Sequence, residues 1–265
     1  MIITLLPTQF ASAKLISLSY VYPEYKSLIG RADSKARLTK VATPYIGITS
    51  HHLPTASPLI DRFFAELKSA RPKIETFVVI GPDHFENCRK KMVMSDLTIK
   101  TMFGDIQTDK KIIHKLKETR LRVENQCFVG EHAVGVPANY IKKYFPEAKI
   151  VPILLSNAAK SQNFARMQEV LIKNKAKLFV LESTDFTHYV NVQKAEANDE
   201  LTKSAILKRD FGSLTLKQVD SPATLRLILE LSKKEKLKPV ILEHKNSFDF
   251  TGQPENTTSY FSVLF

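Results

Sequence analysis

Two cysteines, Cys88 and Cys127, are too few for a disulfide framework, so a core rather than covalent staples must hold this chain together. No apolar run reaches the roughly 18 residues needed to span a bilayer, which excludes a transmembrane helix. No internal repeat, low-complexity tract or obvious linker breaks the sequence. Aromatic residues are not interleaved with the basic clusters Lys110-Lys111, Lys142-Lys143 and Lys233-Lys234-Glu235-Lys236, as base-stacking surfaces require. The net charge of +12 is therefore read as solvated helix faces rather than a nucleic-acid site. Such a surface still steers anionic molecules at long range.

What is present is enough for a large core. A chain of 265 residues buries about three quarters of its extended surface. From residue 45 onward, short apolar runs alternate with segments of helical spacing. Residues 58–70 place Leu59, Ile60, Phe63, Phe64 and Leu67 on one helix face. Residues 76–80 form a continuous run of β-branched residues and one phenylalanine, as a strand buried on both faces does. Helices are expected at 109–119, with Asp109 as N-cap, and at 135–145, 161–173, 192–208 and 221–232. Strands are expected at 148–155, 177–181, 239–243 and 258–265. This alternation predicts one α/β domain over 1–265, a three-layer α/β/α sandwich with a largely parallel central sheet.

Residues 1–40 stand apart as an N-terminal extension. Its first residues carry a short apolar stretch followed by Ala11-Ser12-Ala13, which resembles the remnant of an export signal without a positive leader. The other reading is an ordinary first strand in a cytoplasmic protein. Residues 23–40 are polar and read as a surface excursion.

Four histidines sit where apolar runs stop: His51 and His52 after Tyr45-Ile46-Gly47-Ile48, His84 after Val79-Ile80-Gly81-Pro82-Asp83, and His188 after Ser183-Thr184-Asp185-Phe186-Thr187. The carboxyl ends of parallel strands are where ligands bind in such sheets, so imidazoles distant in sequence converge there. Adjacent strand residues face opposite ways, so His51 competes with His52 as a ligand. Asp185 and His188 pair a carboxylate with an imidazole, a combination suited to acid–base work or to a helix cap. Glu131-His132 follows Gly130 at the start of a helical segment, where a glutamate is favoured by the helix dipole and His132 is placed to donate a hydrogen bond.

Taken together, Gly47-Ile48 with His51-His52, Ile80-Gly81-Pro82-Asp83-His84, Glu131-His132 followed by Pro137, and Ser183-Thr184-Asp185-Phe186-Thr187-His188-Tyr189 resemble the Memo-like family. Its microbial members include AmmeMemoRadiSam system protein B. The resemblance extends to Asn246-Ser247-Phe248-Asp249. It implies a fold similar to class III extradiol dioxygenases of the LigB type, which hold non-haem Fe(II). It also implies His52 and His84 as metal ligands, with Asp185 and His188 lining the same pocket, His188 as the acid–base group. His51, Asp83, Glu131 and His132 would surround the ligands.

Two departures stand out. Where the family pattern has a cysteine before a helix, this chain has Asp220, ahead of Ser221-Pro222. Two imidazoles and a carboxylate make a facial triad suited to Fe(II), less so to copper, with zinc a further candidate; a cap for the helix is the other role open to Asp220. The family's proline-histidine-alanine-glycine is replaced by His51-His52-Leu53-Pro54. The expectation is a metal-binding, dioxygenase-like oxidoreductase acting on a small molecule. The alternatives are a non-catalytic accessory of a radical-SAM partner and a metal-dependent hydrolase.

Overall fold

In the computed structural model, residues 15–31, 41, 43–212 and 214–265 are described. The Ala11-Ser12-Ala13 segment lies outside them. A small sheet takes β1 (Ser17–Tyr20), while the main sheet begins with β2 (Ile46–Thr49). There follow α1 (Ser57–Ala70), β3 (Thr76–Pro82), β4 (Met92–Met94), β5 (Thr98–Thr101), β6 (Gly104–Ile106), α2 (Lys110–Lys117) and β7 (Arg122–Val123). The second half runs α3 (His132–Tyr144), β8 (Lys149–Leu155), α4 (Ala165–Lys173), β9 (Leu178–Ser183), α5 (Val192–Lys208), α6 (Pro222–Lys234), β10 (Val240–Asn246), α7 (Ser247–Thr251) and β11 (Ser259–Leu264).

The main sheet has eight strands in the order β10-β11-β2-β9-β3-β8-β4-β7. Its four central strands, β2, β9, β3 and β8, are parallel, and antiparallel partners close both flanks. The α/β class and the largely parallel centre match the expectation from periodicity. Alternating side chains divide the core in two. Val78 and Ile80 pack with α2, α4 and α6 on one face. Phe77 and Val79 pack with α1 and α3 on the other. Both faces are covered, which is why β3 is apolar at nearly every position.

Helix ends follow local chemistry. Asp109 caps α2 by accepting from the backbone N–H groups of Lys111 and Ile112 at 3.0 and 3.1 Å. Ser221, not Asp220, caps α6, and Pro222 takes its first turn. The helix expected at 135–145 starts earlier, at His132, because Glu131 accepts from Ala133 N at 3.0 Å as its N-cap.

The small sheet β1-β5-β6 has no counterpart in the sequence reading. Buried Asn139 of α3 fastens it, donating to Tyr20 O at 2.9 Å and accepting from Met102 N at 2.8 Å. The expected surface excursion is described as far as Arg31, and it is not simply surface. A 3-10 turn, Pro23–Leu28, precedes buried Ile29, and Tyr22 and Tyr25 face the cavity of the candidate site.

Candidate metal centre

Three neighbouring parallel strands, β2, β9 and β3, end side by side. Thr49 pairs with Ser183, and Ile80 with Glu182. The residues just beyond these ends, His51, Asp185 and His84, therefore emerge at one edge of the sheet. Gly81 brings in a fourth group. A Cβ at this position would lie 2.7 Å from Ala133 Cβ, so only glycine lets the first turn of α3 pack this closely on β3. That contact sets Glu131 and His132 beside His84.

His51, His84 and His132 form the resulting cluster, one ring nitrogen from each lying within 4.8 Å of the other two. The His84 and His132 rings stack at 4.2 Å, and His51 meets each edge-on at 4.9 Å. Two nitrogens on one tetrahedral ion sit about 3.3 Å apart, so the trio would hold an ion after closing by up to about 1.5 Å.

Asp220 stands against two of the rings, its Oδ2 3.3 Å from His51 Nε2 and 3.6 Å from His84 Nε2. Thr184 Oγ1 donates to its other oxygen, and Asp185 N donates to Oδ2 at 3.1 Å. A short antiparallel bridge, Phe186 to Val219, zips the two segments together. Its carboxylate is thus spent on the cluster and not on the helix that follows.

The outer ring atoms are also engaged. Glu131, fully buried, accepts hydrogen bonds from His84 Nδ1 at 2.7 Å and from the His84 backbone N–H at 3.0 Å. Ser183 Oγ lies 3.1 Å from His51 Nδ1. Held this way, both Nε2 atoms turn toward Asp220, an arrangement typical of metal-ligating imidazoles.

Charge explains the proton affinities. Burial works against a charged His84, but its hydrogen bonds to the Asp220 and Glu131 carboxylates outweigh it and push the ring up to about 10. Burial likewise opposes a charged His51, and Asp185 with Asp220 turns the balance upward. His132 goes the other way, down to about 4, through burial and the neighbouring His51 and His84. Burial opposes ionisation of Asp220 too, yet its hydrogen bonds to the two histidines hold it well below the usual carboxylate range.

The expected residues divide accordingly. His84 and Asp220 come together as anticipated, but within this histidine cluster the position expected for His52 is taken by His51. His52 turns instead to Tyr260, whose hydroxyl lies 2.8 Å from its Nδ1. The cause is the alternation of successive side chains along an extended chain. His132, expected around the ligands, belongs to the cluster itself. Asp83, also expected there, accepts from Asn87 N and Cys88 N at 3.3 and 3.1 Å and shapes the loop after His84. Asp185 accepts from Ser50 Oγ and from His51 N, fixing the turn that carries His51. His188 reaches the same cavity of about 640 Å³, with Tyr22, Tyr25, Leu53, Val136, Tyr189 and Leu216 among its walls. Tyr260 and the supporting Ser50, Ser183 and Thr184 hydroxyls had no distinguishing signal in the sequence.

Residues 30–264 match the family model described as Memo-like protein. A MEMO1 family protein of Pyrobaculum aerophilum is 28% identical over 207 residues, covering 73% of each chain. One of Caldivirga maquilingensis is 23% identical over 253 residues, covering 91% of this chain and 87% of its own. The fold is also similar to the crystal structure of an uncharacterized protein, JW3007 from Escherichia coli K12, with a TM-score of 0.51 at 14% identity, covering 83% of this chain and 98% of that one. On the extent of the family match, the chain belongs to the Memo-like protein family.

Proposed function

We propose that this protein holds one divalent transition-metal ion at His51, His84 and His132, with Asp220 as a carboxylate ligand, and acts as an Fe(II)-dependent, dioxygenase-like oxidoreductase on a small molecule. The observation that carries the reading is the convergence of three imidazoles on one carboxylate at the sheet's carboxyl edge. His51, His84 and Asp220 make the two-imidazole, one-carboxylate set that suits non-haem Fe(II). When bound, the metal supplies Lewis acidity toward substrate oxygens and a means of using dioxygen.

The chain's own groups do the remainder. Tyr22, Leu53, Val136 and Leu216 give the cavity apolar walls that exclude water and hold an uncharged body. His188 stands in the cavity outside the three-imidazole group, placed to take a proton from a substrate hydroxyl at a ring nitrogen and return it later. Asp185 acts through its bonds to Ser50 and His51 N, positioning the His51 ring rather than moving the proton itself.

The third imidazole favours a second reading. Three histidines and an open position also build catalytic zinc sites, which activate water for hydrolysis. Anaerobic purification followed by elemental analysis and metal titration separates the two. One Fe(II) per chain with substrate-dependent oxygen uptake supports the oxidoreductase, and tight zinc with ester or amide turnover supports the hydrolase. His51→Ala should abolish metal uptake. If neither ion binds the wild-type protein, or His51→Ala binds as well as wild type, the metal centre is wrong.

A further inference from the structure

The two cysteines lie close to the site without belonging to it. Cys88 sits in the loop that follows His84, and Cys127 in the 3-10 turn Asn125–Phe128 that leads to Glu131. The two segments are already joined: Arg89 N donates to the Glu124 carboxylate at 2.9 Å, and the Cys127 thiol donates to the same oxygen at 3.8 Å. Asp83 holds Cys88 from the other side through its backbone N–H at 3.1 Å. Because Arg89 N and the Cys127 thiol meet on one Glu124 oxygen, Cys88, the residue before Arg89, is brought beside Cys127, and both cysteines are free. Cys88 is partly exposed, whereas Cys127 is buried. One sulfur is open to a reagent in solution, and its neighbour is shielded.

We propose that Cys88 and Cys127 form a reversible redox pair, in which a peroxide or a small-molecule disulfide drives formation of a disulfide fastening the His84 loop to the segment that enters Glu131 and His132. With hydrogen peroxide, the Cys88 sulfur attacks one peroxide oxygen and the O–O bond breaks. Cys88 becomes a sulfenic acid, and the departing hydroxide leaves as water with the thiol proton. The Cys127 sulfur then attacks the Cys88 sulfur, the S–O bond breaks, and a second water leaves with the Cys127 proton. The two thiols together give up two electrons, one peroxide becomes two waters, and an added dithiol reverses the change. Burial, the contact with Cys127 and the neighbouring Asp83 push the Cys88 thiol up, so it stays protonated and reacts slowly. The pair therefore remains reduced until an oxidant is supplied in excess.

The test treats the full-length native protein with excess hydrogen peroxide, and separately with oxidised glutathione, before alkylation and mass spectrometry. The expected result is a monomer lighter by two hydrogens, a Cys88–Cys127 cross-linked peptide, and recovery of both thiols with dithiothreitol. Cys88→Ser should give no intramolecular cross-link. Both thiols remaining alkylatable after oxidation would overturn the proposal. So would Cys88 ending as a stable glutathione adduct or sulfinic acid beside a free Cys127, or a cross-link between chains. Because the wild-type measurement decides the matter without reference to bound metal, its failure is distinguishable from failure of the metal-site reading.

Discussion

Two histidine–carboxylate pairs in this molecule have nearly the same length and very different surroundings. His84 Nδ1 lies 2.7 Å from Glu131, and His244 Nε2 lies 2.8 Å from Asp199. Around the first, two more imidazoles and Asp220 crowd the opposite ring nitrogen. Around the second, the imidazole stacks on Phe261 at 4.2 Å, and Thr187 donates to the other Asp199 oxygen. Among the described residues, no second histidine joins His244 in a metal-competent group. The pair alone is therefore no mark of a reactive site. What distinguishes His84 is that its carboxylate partner orients a ring whose other nitrogen faces further donors, whereas Asp199 links α5 to β10 and to the turn at Thr187.

The contrast can be broken most decisively at Glu131. Glu131→Gln keeps the side chain's size but removes its charge, and metal affinity should fall about 10–100-fold, read by titration with Fe(II) or Zn(II). An unchanged affinity would place Glu131 with Asp199 as a structural partner only. A second effect is expected in the metal-free protein. His84 is raised from 6.5 to about 10 in the folded state, so its contribution to stability is fully present below pH 6.5 and is lost as pH rises toward 10. The urea midpoint of chelator-treated protein should decline across that window, and Glu131→Gln should flatten the decline. The smallest effect on the metal belongs to Asp199→Asn. It should destabilise the fold by about 1–3 kcal/mol, because a buried acceptor of two hydrogen bonds is lost, and leave metal affinity unchanged. A loss of metal on Asp199→Asn would erase the distinction between the pairs.

The same contrast marks what could be read in the sequence. Apolar runs and helical spacing placed the four central strands because each is buried on both faces and carries a strong pattern. The strands β4 to β7 have two to four residues each, too short for a period to register. His84, Asp185 and His188 follow recognisable strand ends, and they do reach one cavity. His52 was the expected ligand with His51 beside it; which of the two joins the cluster depends on one side-chain alternation beyond a strand end, and Tyr260 bonds His52 from far along the chain. His132 as a cluster member was invisible for a different reason. Its position depends on how α3 seats on β3, a tertiary fact that no local spacing encodes.

That seating has an unexpected genetic consequence. Gly81 offers no donor atom, touches no ion and lies on a strand interior, yet a methyl group there would collide with Ala133 and lever the helix start outward. His84 rides on the strand and His132 on the helix, so the intruding carbon would pull apart two imidazoles while leaving both intact. An inactive variant of this protein need not have lost any residue that a chemist would name as functional.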